Sequence, residues 1–266
     1  MSELDSGGDQ GSAGTTPGQA VGQGSQDGVS TEAQMQWKAE AARAAVDSVP
    51  DGAVIGLGSG STASLMLRAL AERIRGGLHV TGVPTSDQTQ AEAESLGIPI
   101  AQLDDVQLLT CSIDGADEVT LPQLNLIKGR GGALLREKMV AAASRFRIII
   151  VDVTKIVPVL ASTHPVPVEV APFGWRHTAG RLVALGARPA LRPAAGPPPA
   201  DAPSAPYVTD GGNYILDCAF GPIYQPEPLA AAIKAVVGVV DCGLFVGMTE
   251  RVYVAGPQGV QVYNRR

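Results

Sequence analysis

The sequence predicts an α/β fold: a parallel sheet with helices on its faces, followed by a smaller α+β region. Three observations predict it. Apolar runs of strand length alternate with helix-patterned segments from Thr31 to Lys155, the signature of a parallel sheet. Four of those runs end in polar clusters, at Gly58–Thr62, Thr85–Ser86, Asp114–Asp117 and Thr154–Lys155. In an open parallel sheet such ends share one edge, and ligands bind there. After Pro158 the texture changes to short strands, turns and prolines.

Taken in order, residues 1–30 are mostly Gly, Ser, Gln, Asp and Thr. Such a segment cannot bury enough surface to offset its ordering entropy, and it predicts a disordered tail. It has neither the apolar core of a secretory signal nor the Arg-rich character of a transit peptide. Thr31–Val46 is rich in helix formers, with Met35, Ala39, Ala42 and Val46 on one stripe and Ser30 or Thr31 as N-cap. Pro50–Gly52 is a turn. Ala53–Leu57 predicts a strand that runs straight into Gly58-Ser-Gly-Ser-Thr62, and a helix follows with Leu67, Leu70 and Ile74 on one face. Leu78–Val83 predicts a strand, then a polar helix to Leu96; Gly97–Pro99 ends that helix and starts the next strand. Gln107–Ile113 and Arg147–Val153 complete the apolar runs.

In the later region, Thr163–Glu169 has alternating valines and reads as an edge strand that tolerates its prolines. Trp175–Leu185 predicts a helix, Ala187–Arg192 a strand, and the Ala/Pro-rich run 193–206 an exposed, mobile loop. Asp210-Gly-Gly-Asn213 marks a hairpin turn, and Pro228–Val236 a helix. Short strands at 244–246, 251–255 and 260–263 are expected to return to the main sheet. The partition is then 31–160 with 240–266 as the main domain, and 161–239 as a small α+β domain.

Composition removes several function classes. The chain of 266 residues is 45% hydrophobic and 17% charged, enough for a sizeable core. Its net charge is −6 and it has no basic run, which excludes nucleic acid as an expected partner. No apolar run approaches the roughly 20 residues of a membrane span. The three cysteines are far apart, odd in number and lack metal-ligand spacing. They read as buried free thiols in a reducing compartment, the cytoplasm or a plastid stroma. The three histidines are scattered, against a His metal site or a Ser-His-Asp triad. Neither a metal nor a cofactor is expected.

The chemistry concentrates between Ser112 and Lys138. Asp114 and Asp117 share a tight turn, Lys128 precedes a glycine cluster, and Glu137 follows on an expected helix. Carboxylates, an ammonium and backbone N–H donors are the parts needed to move protons on an oxygen-rich substrate. Leu135, Met139 and Ala142 are expected to form the apolar face of the Glu137 helix, leaving the glutamate free to face a cleft. Two neighbouring carboxylates, Asp114 and Asp117, should raise one apparent pKa. The loop Ser59, Gly60, Ser61 and Thr62, between a strand and a helix N-terminus, is an anion site in outline. It is not a P-loop, because no lysine follows Gly60, nor a dinucleotide fingerprint, because the third glycine would fall on Ser61.

The motifs GSGSTA at 58–63, VPTS at 83–86, DGADE at 114–118, KGRGGALLREK at 128–138, PVPVEV at 165–170, VTDGGN at 208–213 and GVVDCGLF at 238–245 occur in that order. The set closely resembles ribose-5-phosphate isomerase of the A type, over roughly Gln34 to Tyr263. The resemblance implies a Rossmann-like domain with a smaller inserted domain. It implies interconversion of ribose 5-phosphate and ribulose 5-phosphate without a metal or organic cofactor. Glu137 matches the proton-transferring base, and Asp114, Asp117 and Lys128 the groups that contact the sugar oxygens. Substrate contacts are implied for Ser59, Gly60, Ser61, Thr62, Gly115, Ala116, Gly129, Arg130, Gly131 and Lys155. Lys38 could reach the phosphate from the first helix, while Glu169 is expected to be structural. Arg130 stands where many members have glycine. Homodimers or homotetramers are what the resemblance suggests. A deaminase of similar fold would use a histidine near its base, and none lies between His79 and His164. A sugar-phosphate sensor without catalysis would not need the full Asp114, Asp117, Lys128 and Glu137 set.

Overall fold

The computed structural model describes residues 29–195 and 204–265. The expected tail therefore lies outside the described residues except for Val29 and Ser30, and so does most of the expected loop over 193–206. The first helix, α1 (Thr31–Asp47), starts where Ser30 caps it, with the Ser30 hydroxyl accepting from Ala33 N–H. Then come β1 (Ala53–Leu57), α2 (Ser61–Arg75), β2 (Val80–Pro84) and α3 (Asp87–Ser95). No strand starts after Gly97. Ile100 makes one isolated bridge to Gly82, and a short 3-10 turn follows at Leu103–Asp105. The next strand, β3, is only Cys111–Asp114. Two-residue strands β4 (Glu118–Val119) and β5 (Leu126–Ile127) precede α4 (Leu134–Ala142) and β6 (Arg147–Asp152).

The later elements are β7 (Val166–Val170), α5 (Trp175–Ala184), β8 (Arg188–Leu191), β9 (Tyr214–Ala219), α6 (Pro226–Lys234), β10 (Val239–Cys242), β11 (Leu244–Phe245), β12 (Arg251–Gly256) and β13 (Gly259–Asn264). The main sheet has six strands in the order β13-β12-β6-β3-β1-β2, parallel except for the hairpin strand β13. Alternation along β6 splits its side chains between two cores. Ile148 and Ile150 join α1 and α2 on one face, and Ile149 and Val151 join Phe245 and Leu126 on the other. From β1 the chain goes to β2 on one side and then to β3 on the other, so the strand order reverses at β1. Crevices at such reversals, at the carboxyl ends of the strands, are where ligands bind in open α/β sheets.

A second sheet has the order β10-β7-β9-β8, and a third joins β11, β5 and β4. Three sequence expectations are corrected here. The strand with the alternating valines, β7, is interior rather than at an edge, because β10 and β9 pair on its two sides. It tolerates Pro167 because pairing with β10 stops at Cys242, opposite Val168; beyond it, Pro167 needs only its carbonyl, which accepts from Gly243 N–H at 2.7 Å. The returning strands also divide. β12 and β13 extend the main sheet, but β11 pairs with β5, directly before Lys128. The expected hairpin arm before Asp210 is reduced to one bridge, between Val208 and Tyr214.

Candidate active site

The site forms where the loops after β1 and β3 face α4. Asp114 is the last residue of β3, and its Oδ1 accepts from Gly115 N–H at 2.7 Å and from Ser59 N–H at 3.2 Å. That second bond ties the two strand ends together. It requires Gly58, where an added Cβ would stand 2.1 Å from Asp114 Oδ1. Ser59 Oγ lies 2.6 Å from Thr85 Oγ1, which itself donates to Leu57 O at 3.0 Å. Three of the four polar strand ends therefore interlock.

Lys128 follows β5 and is 4% exposed; Glu137, in the first turn of α4, is 6% exposed. The ammonium donates to Gly115 O at 2.6 Å and lies 3.0 Å from Asp114 Oδ2. Glu137 Oε2 is 3.2 Å from the same nitrogen but accepts no aligned hydrogen bond. Asp117 Oδ2 accepts from Arg130 N–H at 3.0 Å. Two carboxylates, Asp114 and Glu137, thus pair with one ammonium. Burial pushes the Glu137 carboxyl up; Lys128 opposes this, Asp114 and Asp117 add to it, and the result is about 8. Burial would lower Lys128, but Asp114 and Glu137 outweigh it and hold the ammonium above the usual lysine range. The buried carboxyl raised here is that of Glu137.

The face of α4 is also corrected. Its buried stripe is Leu134, Glu137 and Val140, whereas Met139 is 51% exposed and Ala142 is exposed. Glu137 does not point away from the packed face; it lies in it. The reason is that this face of the helix meets both apolar strand residues and Lys128, so its stripe includes a carboxyl set against the ammonium.

An open cleft of about 850 Å³ lies in front of this cluster. The anion loop lines it with Ser59, Gly60, Ser61 and Thr62. No side chain caps α2, so the N–H groups of its first turn stay available to an anion. Gly115, Ala116 and Asp117 also line it, as do Lys128, Gly129, Arg130, Gly131 and Glu137. Lys38 of α1 and Lys155, in the 3-10 turn after β6, complete it. Neither of those two lysines has an acidic partner among the described residues. Asp114 alone of the expected set stands back, lining a smaller enclosed cavity behind Lys128 and Glu137.

The model for ribose 5-phosphate isomerase A (phosphoriboisomerase A) matches residues 81–259. The chain belongs to the ribose 5-phosphate isomerase A family. It is 54% identical over 225 residues to the ribose-5-phosphate isomerase A of Gloeobacter violaceus, covering 85% of this chain and 94% of that one. It is 50% identical to that of Gluconobacter oxydans, covering 84% and 94%. Among solved structures, a D-ribose-5-phosphate isomerase in complex with phospho-erythronic acid matches with a TM-score of 0.82 and 37% identity, over 86% of this chain and 98% of that one. The ribose 5-phosphate isomerase of Plasmodium falciparum matches with a TM-score of 0.81 and 37% identity, over 87% and 99%. No described helix is long and apolar enough to cross a membrane.

Sequence reasoning missed several residues of this isomerase-family site. Glu118 is fully buried beside Asp117 and takes four hydrogen bonds from the segment 161–164. Arg192 reaches the glycine loop from the second sheet. Nothing in its local sequence signals this, because the contact spans more than sixty positions. Glu169, expected to be structural, is buried. Its Oε1 accepts from Thr209 Oγ1 and Asn213 Nδ2, both at 2.9 Å, in the turn whose Asp210 accepts from Asp87 N–H and pairs with Arg136.

Proposed function

We propose that the chain interconverts D-ribose 5-phosphate and D-ribulose 5-phosphate, with Glu137 as the base. The observation that carries this reading is a buried glutamate with a raised pKa, set against an ammonium at the wall of an anion-binding cleft. The Glu137 carboxylate takes the proton from C2 of the open-chain aldose and returns it to C1. One carboxylate on one face serves both transfers. The negative oxygen of the intermediate enediolate meets Lys128 and the glycine-loop N–H groups. Asp114, set back from the cleft, relays a hydroxyl proton in ring opening through the Lys128 ammonium 3.0 Å away; Asp117 orients sugar hydroxyls and the glycine loop. The phosphate sits on Ser59–Thr62 and the first turn of α2, with Lys38 and Lys155 as countercharges. Gly115, Ala116, Gly129, Arg130 and Gly131 make the remaining contacts.

The substrate is a small sugar phosphate and the reaction needs no metal. The residues 161–239 act as a smaller inserted domain, and the enzyme is a cytoplasmic homodimer or homotetramer. The test follows ribulose 5-phosphate formation with EDTA present, in wild type and Glu137→Gln, together with substrate binding. Turnover that survives EDTA and collapses in the variant, with binding kept, is expected. A wild type that binds the sugar phosphate without turnover would replace this reading with a sensor.

A further inference from the structure

Three consecutive carbonyls of the glycine loop are held from the second sheet. Arg192, next after β8, donates through Nη1 to Gly129 O and Arg130 O, each at 3.0 Å. The Tyr207 hydroxyl donates to Gly131 O at 3.3 Å. Arg192 is itself fixed. Its Nε and Nη2 form a fork on the Asp217 carboxylate of β9, and its side chain is 13% exposed. The guanidinium lies 5.9 Å from the centroid of the Tyr207 ring. Tyr207 rests on Gly132, where an added Cβ would stand 2.3 Å from the phenol oxygen.

The clamp has a directional consequence. In a trans peptide unit the N–H points opposite to the carbonyl before it. Arg130 N–H is taken by Asp117, and Gly132 N–H by Gly129 O at 3.0 Å. Gly131 N–H has no partner among the described residues. Its peptide carbonyl, Arg130 O, faces Arg192, so the N–H faces the other way, toward the cleft that Gly131 lines.

We propose that Arg192, seconded by Tyr207, is a positioning residue that holds the loop carbonyls back and so presents the Gly131 N–H to the enediolate oxygen. The proposal rests on the isomerase reading and deepens it. Arg192→Lys keeps the charge and loses the planar fork. The expected result is a fall in kcat of about 10- to 100-fold with KM within about threefold, since losing a whole oxyanion donor costs about 10²–10³. Binding of phospho-erythronic acid, whose carboxylate resembles the enediolate, weakens in step, while inhibition by inorganic phosphate is unchanged. Tyr207→Phe removes one hydroxyl and moves kcat the same way by about twofold to fivefold, roughly the worth of one neutral hydrogen bond; it decides the matter if Arg192→Lys does not fold. Wild-type kcat in the folded variants, or phosphate affinity lost in parallel with kcat, overturns the proposal. Failure of the isomerase reading is distinct: wild type would then show no turnover at all, and the phospho-erythronic acid comparison would still test the clamp.

Discussion

Glu118 and Glu137 are both buried glutamates, and their surroundings differ in one respect. Glu118 Oε1 accepts from Thr163 N–H, Thr163 Oγ1 and His164 N–H at 2.6–2.8 Å, and Oε2 accepts from Ala161 N–H at 2.6 Å. Glu137 has only a shared ammonium and one oxygen without an aligned donor. Fixed donors around a carboxylate make it a strut, because both of its oxygens are already held. A carboxylate left short of donors in a dry site holds its proton more tightly, and it can give and take one near neutral pH.

Replacing each glutamate by glutamine is the sharpest way to break this contrast. Glu137→Gln is expected to lower kcat by about 10³–10⁴-fold, at the upper end for a general base, with no loss of thermal stability. Glu118→Gln puts an amide against N–H donors and is expected to cost about 2–3 kcal/mol, seen as a fall in Tm of roughly 5–10 °C. Its kcat per folded molecule should stay within about threefold of wild type, roughly 0.7 kcal/mol of barrier. If the two variants exchanged phenotypes, the distinction between strut and base would collapse.

The pH dependence sharpens the same point. As a base, Glu137 works deprotonated, so kcat/KM should rise with pH through about 8. Its stability contribution runs the other way. The folded pKa lies above the unfolded value of about 4.3, so the folded state binds more protons in between. Stability from this group is full below the unfolded pKa and falls as pH rises toward about 8. Denaturant titrations at pH 6 and pH 9 should show wild type losing ground to Glu137→Gln; an equal gap at both would contradict the raised carboxyl. The smallest effect is expected at the rim. Lys155→Ala should raise KM about tenfold, the loss of one charged hydrogen bond, and change kcat less. Steady-state kinetics at low and high salt would check it, because a rim charge is screened.

Much of the fold was legible because it is local. The strand Ala53–Leu57 and the helix starting at Thr31 are specified by an apolar run and a cap that lie within a few residues of each other. The anion loop was legible for the same reason: Ser59–Thr62 sit between that strand and the helix they serve. The α4 stripe was not, since Leu135 and Met139 are as apolar as Leu134 and Val140. Which of them is buried depends on what lies across from the helix, and that is β3, β7 and β10, brought in from other parts of the chain. β7 was misread for a similar reason, because its second partner, β10, arrives about seventy residues later.

By itself the sequence determined the alternation of strands and helices, the polar ends that mark the ligand edge, and the residue types available for proton transfer. Periodicity, capping and motif spacing are short-range, and they survive in one dimension. The tertiary structure decided which carboxyl is raised, which glutamate is a strut, and that Arg192 and Tyr207 hold the glycine loop. Those properties depend on desolvation and on donors brought from distant segments, and both exist only once the chain has closed around the site.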